Sequence, residues 1–286
     1  MADTDVRCVL VKIHGIGQQR EPDWHQEFDQ KLDAALSALS ASQRTAFVNE
    51  SVYWADLSQL FAPAAGGVAD LGQPAATVDV EYGLAHQSFS NYVTSGGNTA
   101  MGSPAAFGLP DPRTILMNLR DVTFSAADEA HDVAGYVSNN GLRSQILNRL
   151  GSKLYELHDR YSQASVILGS HSQGTMVSYD VLRLVGSRMP RLRTWVTMGC
   201  PLAWYANCAK WGREILNVSP NLTWLNYFDD QDPVGKALAP LISWPAPKPE
   251  DSDVDNTGHG LHAHDHWHNA TVVENYAALV TQQVGP

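Results

Sequence analysis

Cysteine is scarce: Cys8, Cys200 and Cys208 are the three in 286 residues. An odd number at such spacings builds no disulfide framework. The chain is therefore expected to rely on a buried core and to work in a reducing, cytoplasmic setting. Basic residues are also few, 19 Lys and Arg against 30 Asp and Glu, for a net charge of −11. They are scattered along the chain, whereas a phosphate-binding surface needs them clustered. Nucleic acid is thus not an expected partner, and attraction to anionic membranes is disfavoured for the same reason. The acidic excess serves solubility. No run of 18 apolar residues occurs, so no stable membrane insertion is expected. The first residues, Met-Ala-Asp-Thr-Asp, are acidic, with no basic segment or small-residue cleavage site. They do not read as a signal peptide.

What is present is enough apolar residue, 44% of the chain, to bury a sizeable core. The length suits one α/β domain over residues 1–286. Val6 to Ile13 is short, β-branched and ended by His-Gly, and reads as a buried strand. Pro22 to Leu39 has helical spacing at Trp24, Phe28, Leu32, Ala35, Leu36 and Leu39. Ala46 to Trp54 is a second strand. Leu142, Ile146, Leu150, Leu154, Leu157 and Tyr161 mark a helix. Ala164 to Gly169 is a short strand and Thr175 to Val185 a helix after it. Leu192 to Met198 and Leu222 to Phe228 are further strands. Pro240 to Pro249 is Pro-rich loop, and Glu250 to Asn256 is acidic and polar. Thr271 with Glu274 forms a capping box that opens a final helix through Val280. Strands alternating with helices predict a mainly parallel sheet covered on both faces. Residues 62–112, rich in Ala, Gly, Pro, Ser and Asn, break the pattern and read as a cap, lid or loop insertion.

Four segments carry chemistry. In the first, Val166-Ile-Leu-Gly-Ser-His-Ser-Gln-Gly174, an apolar strand ends and a helix begins around Ser172. A nucleophile elbow has this form, because the serine takes a strained conformation in a tight turn flanked by small residues. Gly174 fits fully, and Ser170 stands where glycine is usual. His171 reads as a packing residue. The second, His14-Gly15-Ile16-Gly17-Gln18, lets backbone pass close to a substrate oxygen. With Ile16 or Gly17 as one donor and Gln173 as the other, it would form an oxyanion hole. The rival dinucleotide-loop reading fails at Arg20. The third, Asn226 to Val234, offers Asp229, Asp230 and Asp232 as the carboxylate that orients an imidazole. The fourth, Gly258 to His268, offers the base, since histidine transfers protons near neutral pH. It has a metal reading too: His262, His264, His266 and His268 alternate and would share a face of an extended strand.

These segments together resemble the bacterial α/β-hydrolase and lipase-like proteins that open with a His-Gly-Ile-Gly loop. The resemblance extends to Ser170-His-Ser-Gln-Gly-Thr, to Met198-Gly-Cys-Pro-Leu202 and to Asp232-Pro-Val. It covers roughly residues 6–20 and 130–283. It implies an α/β-hydrolase fold and a carboxylic ester hydrolase that needs no metal or cofactor. Ser172 would be the nucleophile, Asp232 the acid and His264, three residues before Trp267, the base, with His262 and His266 as alternatives. The substrate would be a small-molecule or lipid-like ester, with Phe89, Tyr92 and Phe107 of the insertion able to line an apolar acyl site. The alternative function is a non-catalytic hydrolase-fold protein that binds a partner, or a metal through the histidine run.

Overall fold

Alternation along a strand sends successive side chains to opposite faces, and Cys8–Ile13 uses both. Val9, Val11 and Ile13 join one buried cluster, while Cys8 and Leu10 join another. A strand apolar on both faces belongs in the middle of a covered sheet, and that is where it lies. In the computed structural model, residues 5–15, 23–60, 136, 140–185, 188–189, 191–202, 215, 218, 221–232, 234–242, 248–258 and 260–285 are described. Among these residues the sheet has six strands, β1 (Cys8–Ile13), β2 (Phe47–Val52), β3 (Ser165–His171), β4 (Leu192–Met198), β5 (Thr223–Phe228) and β6 (Glu250–Asp253). All pair in parallel, in the order β2-β1-β3-β4-β5-β6.

The α-helices among the described residues are α1 (Gln26–Ala35), α2 (Ala41–Thr45), α3 (Ala55–Leu60), α4 (Asn140–Arg160), α5 (Gln173–Val185) and α6 (Ala270–Val284). Helices α4 and α5 bury Leu150, Leu154, Met176, Val177 and Val181 against one face. Helices α1 and α6 bury Phe28, Leu32, Val273 and Tyr276 against the other. Each such side chain contributes roughly 1.5–3 kcal/mol relative to exposure. The expected α/β class, a parallel sheet with helices on both faces, is therefore present.

Two charged groups sit inside these layers because each is paired. Lys12 is fully buried beneath α1, donating to Asp29 and lying 5.5 Å from the Phe28 ring centroid. Burial lowers its pKa and Asp29 opposes that. Asp180 of α5 accepts from Tyr136 Oη at 2.7 Å and pairs with Arg143 of α4. An unpaired charge in either place would cost roughly 3–5 kcal/mol.

Several elements differ from the sequence reading. The Pro22–Leu39 helix is α only over Gln26–Ala35, with 3₁₀ turns at Asp23–His25 and Leu36–Ala38. Glu250–Asp253, read from the sequence only as acidic and polar, is an edge strand, its Asp251 carboxylate accepting from Leu238 N at 3.0 Å, Ala239 N at 2.8 Å and Asn226 Nδ2 at 2.8 Å. The final helix starts at Ala270, capped by Asn269 Oδ1 on Val272 N, not by a Thr271–Glu274 box. The histidine run is two 3₁₀ turns, Gly260–His264 and His266–His268, so its alternate residues do not line one face of a strand. The insertion at 62–112 lies outside the described residues. No helix among the described residues is long and apolar enough to cross a membrane.

Candidate active site

Strand order reverses at β1: the chain next builds β2 on one side, then β3 on the other. In open parallel sheets, ligands bind beyond the carboxyl ends of the strands at such a switch point. The segments that leave these two strands there are His14-Gly15 and Ser172.

Ser172 lies between β3 and α5 with φ 53°, one of two non-glycine residues with positive φ among those described. That region costs a non-glycine residue of order 1–3 kcal/mol and persists only where the surroundings enforce it. The enforcement is visible. Ser172 N donates to Met198 O of β4 at 2.9 Å, and Ser172 O accepts from Thr175 N at 2.9 Å and Thr175 Oγ1 at 2.7 Å. The side chain stands at the N-terminus of the 13-residue α5, where the amides and the helix dipole favour negative charge. Ser170 sits where glycine is usual because its hydroxyl is buried and useful. It donates to Ser178 Oγ at 2.8 Å and accepts from Trp195 Nε1 at 2.8 Å.

The loop after β1 touches this elbow. A Cβ on Gly15 would lie 2.5 Å from Ser172 Cβ, and one on Gly174 would lie 2.4 Å from His14 O. Both contacts are too close for any side chain, so glycine lets the loop backbone pass against the Ser172 side chain at Gly15 and against the His14 carbonyl at Gly174. His14 braces the approach. Its Nδ1 donates to Gly15 O at 2.7 Å, its Nε2 accepts from Trp54 N at 3.1 Å, and its carbonyl accepts from Trp54 Nε1 at 3.1 Å. The Trp54 ring stacks on it at 5.1 Å. Of the expected oxyanion donors, Gln173 opens α5 and is buried, whereas Ile16 and Gly17 lie outside the described residues.

Burial holds the His14 pKa down at about 3. In the unfolded chain it titrates near 6.5. Below that value the unfolded state binds one more proton than the folded state, so stability is full above about pH 6.5 and falls with pH towards about 3. Wild-type protein should lose about 2 kcal/mol from this group between pH 6.5 and pH 5. Urea unfolding at the two pH values measures it. His14→Gln should start less stable and show a shallower pH dependence, and an equal dependence in both proteins would contradict this assignment.

The three candidate carboxylates have separate fates. Asp229 is spent on its own turn, accepting from Gln231 N at 2.8 Å and Asn256 N at 2.9 Å. Asp230 is exposed and accepts from Gln231 Nε2 at 3.0 Å. Asp232 is fully buried, with Oδ1 accepting from Val234 N at 2.8 Å and Oδ2 accepting from His264 Nδ1 at 2.8 Å. The structure thus brings Asp232 and His264 together. His262 and His268 are exposed, and His268 pairs with Glu27 and Asp265. The turn that carries His264 is pinned by buried Ala263 and Trp267, the latter 4.9 Å from the Phe28 ring centroid.

Gly199, directly after β4, is where the two halves meet. Its φ is +54°, and a Cβ would lie 2.6 Å from His264 Cε1. Met198 next to it anchors Ser172 N. The hydrogen bonds among the described residues include none between Ser172 Oγ and His264. Such pairs often tighten only when substrate is bound. Cys200 is buried with its thiol pushed up to about 12, so it is held protonated and is no nucleophile.

Sequence reading did not give three residues here the places they hold. His171 is half-buried, donates from Nε2 to His264 O at 2.7 Å and lies 4.7 Å from the His264 ring centroid. His266 is fully buried and donates from Nδ1 to the same carbonyl at 3.0 Å. Gly199 was part of a motif, but no signal in the sequence told that it makes room for an imidazole from a loop 65 residues away. No family model, curated protein or solved structure matches the chain.

Proposed function

We propose that the protein is a serine hydrolase of the α/β-hydrolase fold that cleaves carboxylic esters through Ser172, His264 and Asp232. The observation that carries this reading is the Asp232–His264 hydrogen bond, whose carboxylate is fully buried, together with a strained serine at a strand-to-helix turn. The chain order Ser, Asp, His supports it. So does placement: the serine follows β3, the aspartate follows β5 and the histidine follows β6, all at the carboxyl ends of one parallel sheet.

The chemistry is a two-step acyl transfer. Because Asp232 accepts the Nδ1 proton, the other nitrogen, Nε2, carries the lone pair that takes the proton from Ser172 Oγ. Oγ attacks the ester carbonyl carbon, and charge develops on the carbonyl oxygen. The Gln173 amide, with Ile16 or Gly17, stabilises that charge. The carbon–alkoxy bond then breaks, with the Nε2 proton passing to the leaving alcohol. Water, deprotonated by Nε2, cleaves the acyl-enzyme and regenerates the serine. Every group in this scheme is a side chain or amide of the chain itself. A cytoplasmic setting belongs to the same reading, and the free thiols of Cys8 and Cys200 agree with it.

Hydrolysis of p-nitrophenyl esters from acetate to palmitate tests the proposal and its substrate class together. Turnover is expected, and its dependence on chain length reports the acyl site that the 62–112 insertion is expected to shape. Purified protein that turned over none of these esters would overturn the ester-hydrolase reading.

A further inference from the structure

Three imidazoles that the acyl-transfer scheme does not need together are nevertheless together: His171 at the end of β3, and His264 and His266 on the last loop. One ring nitrogen of each lies within 4.8 Å of those of the other two. Their protons are assigned by their neighbours. Asp232 Oδ2 faces His264 Nδ1, and the His264 carbonyl faces both His171 Nε2 and His266 Nδ1. A carboxylate and a carbonyl only accept, so each of those nitrogens carries the hydrogen. The remaining nitrogens, His171 Nδ1, His264 Nε2 and His266 Nε2, are then all lone pairs. His266 Nε2 is fully buried and has no hydrogen-bond partner among the described residues. A buried, unsatisfied acceptor of this kind costs roughly 1–3 kcal/mol and calls for an explanation.

We propose that His171, His264 and His266 form a binding site for one divalent transition metal of the zinc class, and that its occupation switches the hydrolase off. Three neutral imidazoles and an open fourth position suit zinc and its neighbours rather than calcium or magnesium. Each ring already donates its other nitrogen to an acceptor, the arrangement that fixes tautomer and orientation in metal-bound histidines. Tetrahedral bonds of 2.0–2.1 Å put ligand nitrogens about 3.3 Å apart, so the three rings have to turn their lone-pair nitrogens inward from the present spacing to close on an ion. The metal takes the His264 Nε2 lone pair, the same pair that accepts the Ser172 proton in the mechanism above, so metal and catalysis exclude each other. That inhibitory consequence rests on the proposed function, whereas metal binding itself does not.

Equilibrium dialysis of the full-length protein against Zn²⁺, with Co²⁺ as a spectroscopic probe, separates the two. One equivalent of Zn²⁺ should bind, and X-ray absorption of the loaded wild-type protein should show imidazole nitrogens at about 2.0–2.1 Å. His171→Ala and His266→Ala should each weaken binding about 10-fold or more. His262→Ala and His268→Ala should not. Zn²⁺ should inhibit ester hydrolysis over the concentration range in which it binds, and EDTA should restore the rate. No bound zinc in the wild-type protein, a metal shell without imidazole, or binding lost with His262 or His268 instead would overturn the site. Binding without inhibition in an active enzyme would overturn the switch. Binding in a protein that hydrolyses no ester would leave the site standing and refute the hydrolase.

Discussion

Ser172→Ala is expected to lower kcat for ester hydrolysis by at least about 10⁴-fold, and up to about 10⁶-fold, with the folded structure retained. The large factor follows from the chemistry, since no other described hydroxyl or thiol occupies the elbow between β3 and α5. Cys200 is held protonated, and the Ser170 hydroxyl is bonded to Ser178 and Trp195. Retention of the fold follows from the backbone: the contacts that hold Ser172 are made by its N–H and carbonyl, which alanine keeps. Circular dichroism and a urea transition, measured beside the kinetics, check both halves. Wild-type turnover in the folded variant would remove Ser172 from the mechanism.

Asp232→Asn is expected to have the second largest effect, on the order of 10⁴-fold in kcat. Asparagine can keep the geometry, but its amide can present a donor to Nδ1, which favours the wrong tautomer, and it carries no charge to stabilise the imidazolium. Asp229→Asn and Asp230→Asn are the controls. Asp229 holds a turn through Gln231 and Asn256, so its loss should appear mainly in stability. Asp230 is exposed and should matter little. A profile in which Asp229→Asn abolished activity while Asp232→Asn left it intact would relocate the carboxylate.

Much of this arrangement was legible in the sequence, because it rests on short-range rules. Leu192–Met198 forms the strand expected over those residues, and its apolar character reflects burial on both faces. The elbow was legible because a strand, a serine and a helix must follow one another within nine residues for a strained turn to form. Of three competing aspartates, the resemblance around Asp232-Pro-Val pointed to the one that the fold places on His264.

What stayed hidden depends on long-range packing or on backbone alone. Strand β6 has the sequence Glu-Asp-Ser-Asp and no apolar face, since a parallel edge strand can be held by its ladder and by Asp251 alone. The helix start moved to Asn269 because Asn and Thr are both good caps, and the Asn269 side chain also bonds Asn256 Oδ1 at 2.8 Å. The alternating histidines would share a face only on an extended strand, but Ala263, His266 and Trp267 are all buried, a pattern that turns produce and alternation does not. His171 looked like a bystander to the serine beside it, because its partner His264 is 93 residues away. The strand-to-helix turn sends the two side chains in different directions, and only the packed loop makes the second one meaningful.

The most direct measurement is covalent labelling of the wild-type protein with a fluorophosphonate, followed by peptide mapping. Such a reagent phosphonylates a serine only where a base has activated it and amides hold the developing charge. One equivalent of label on Ser172, lost in Ser172→Ala and strongly slowed in His264→Ala, is the expected result. Folded wild-type protein that takes up no label, or takes it up at another residue, would contradict the account.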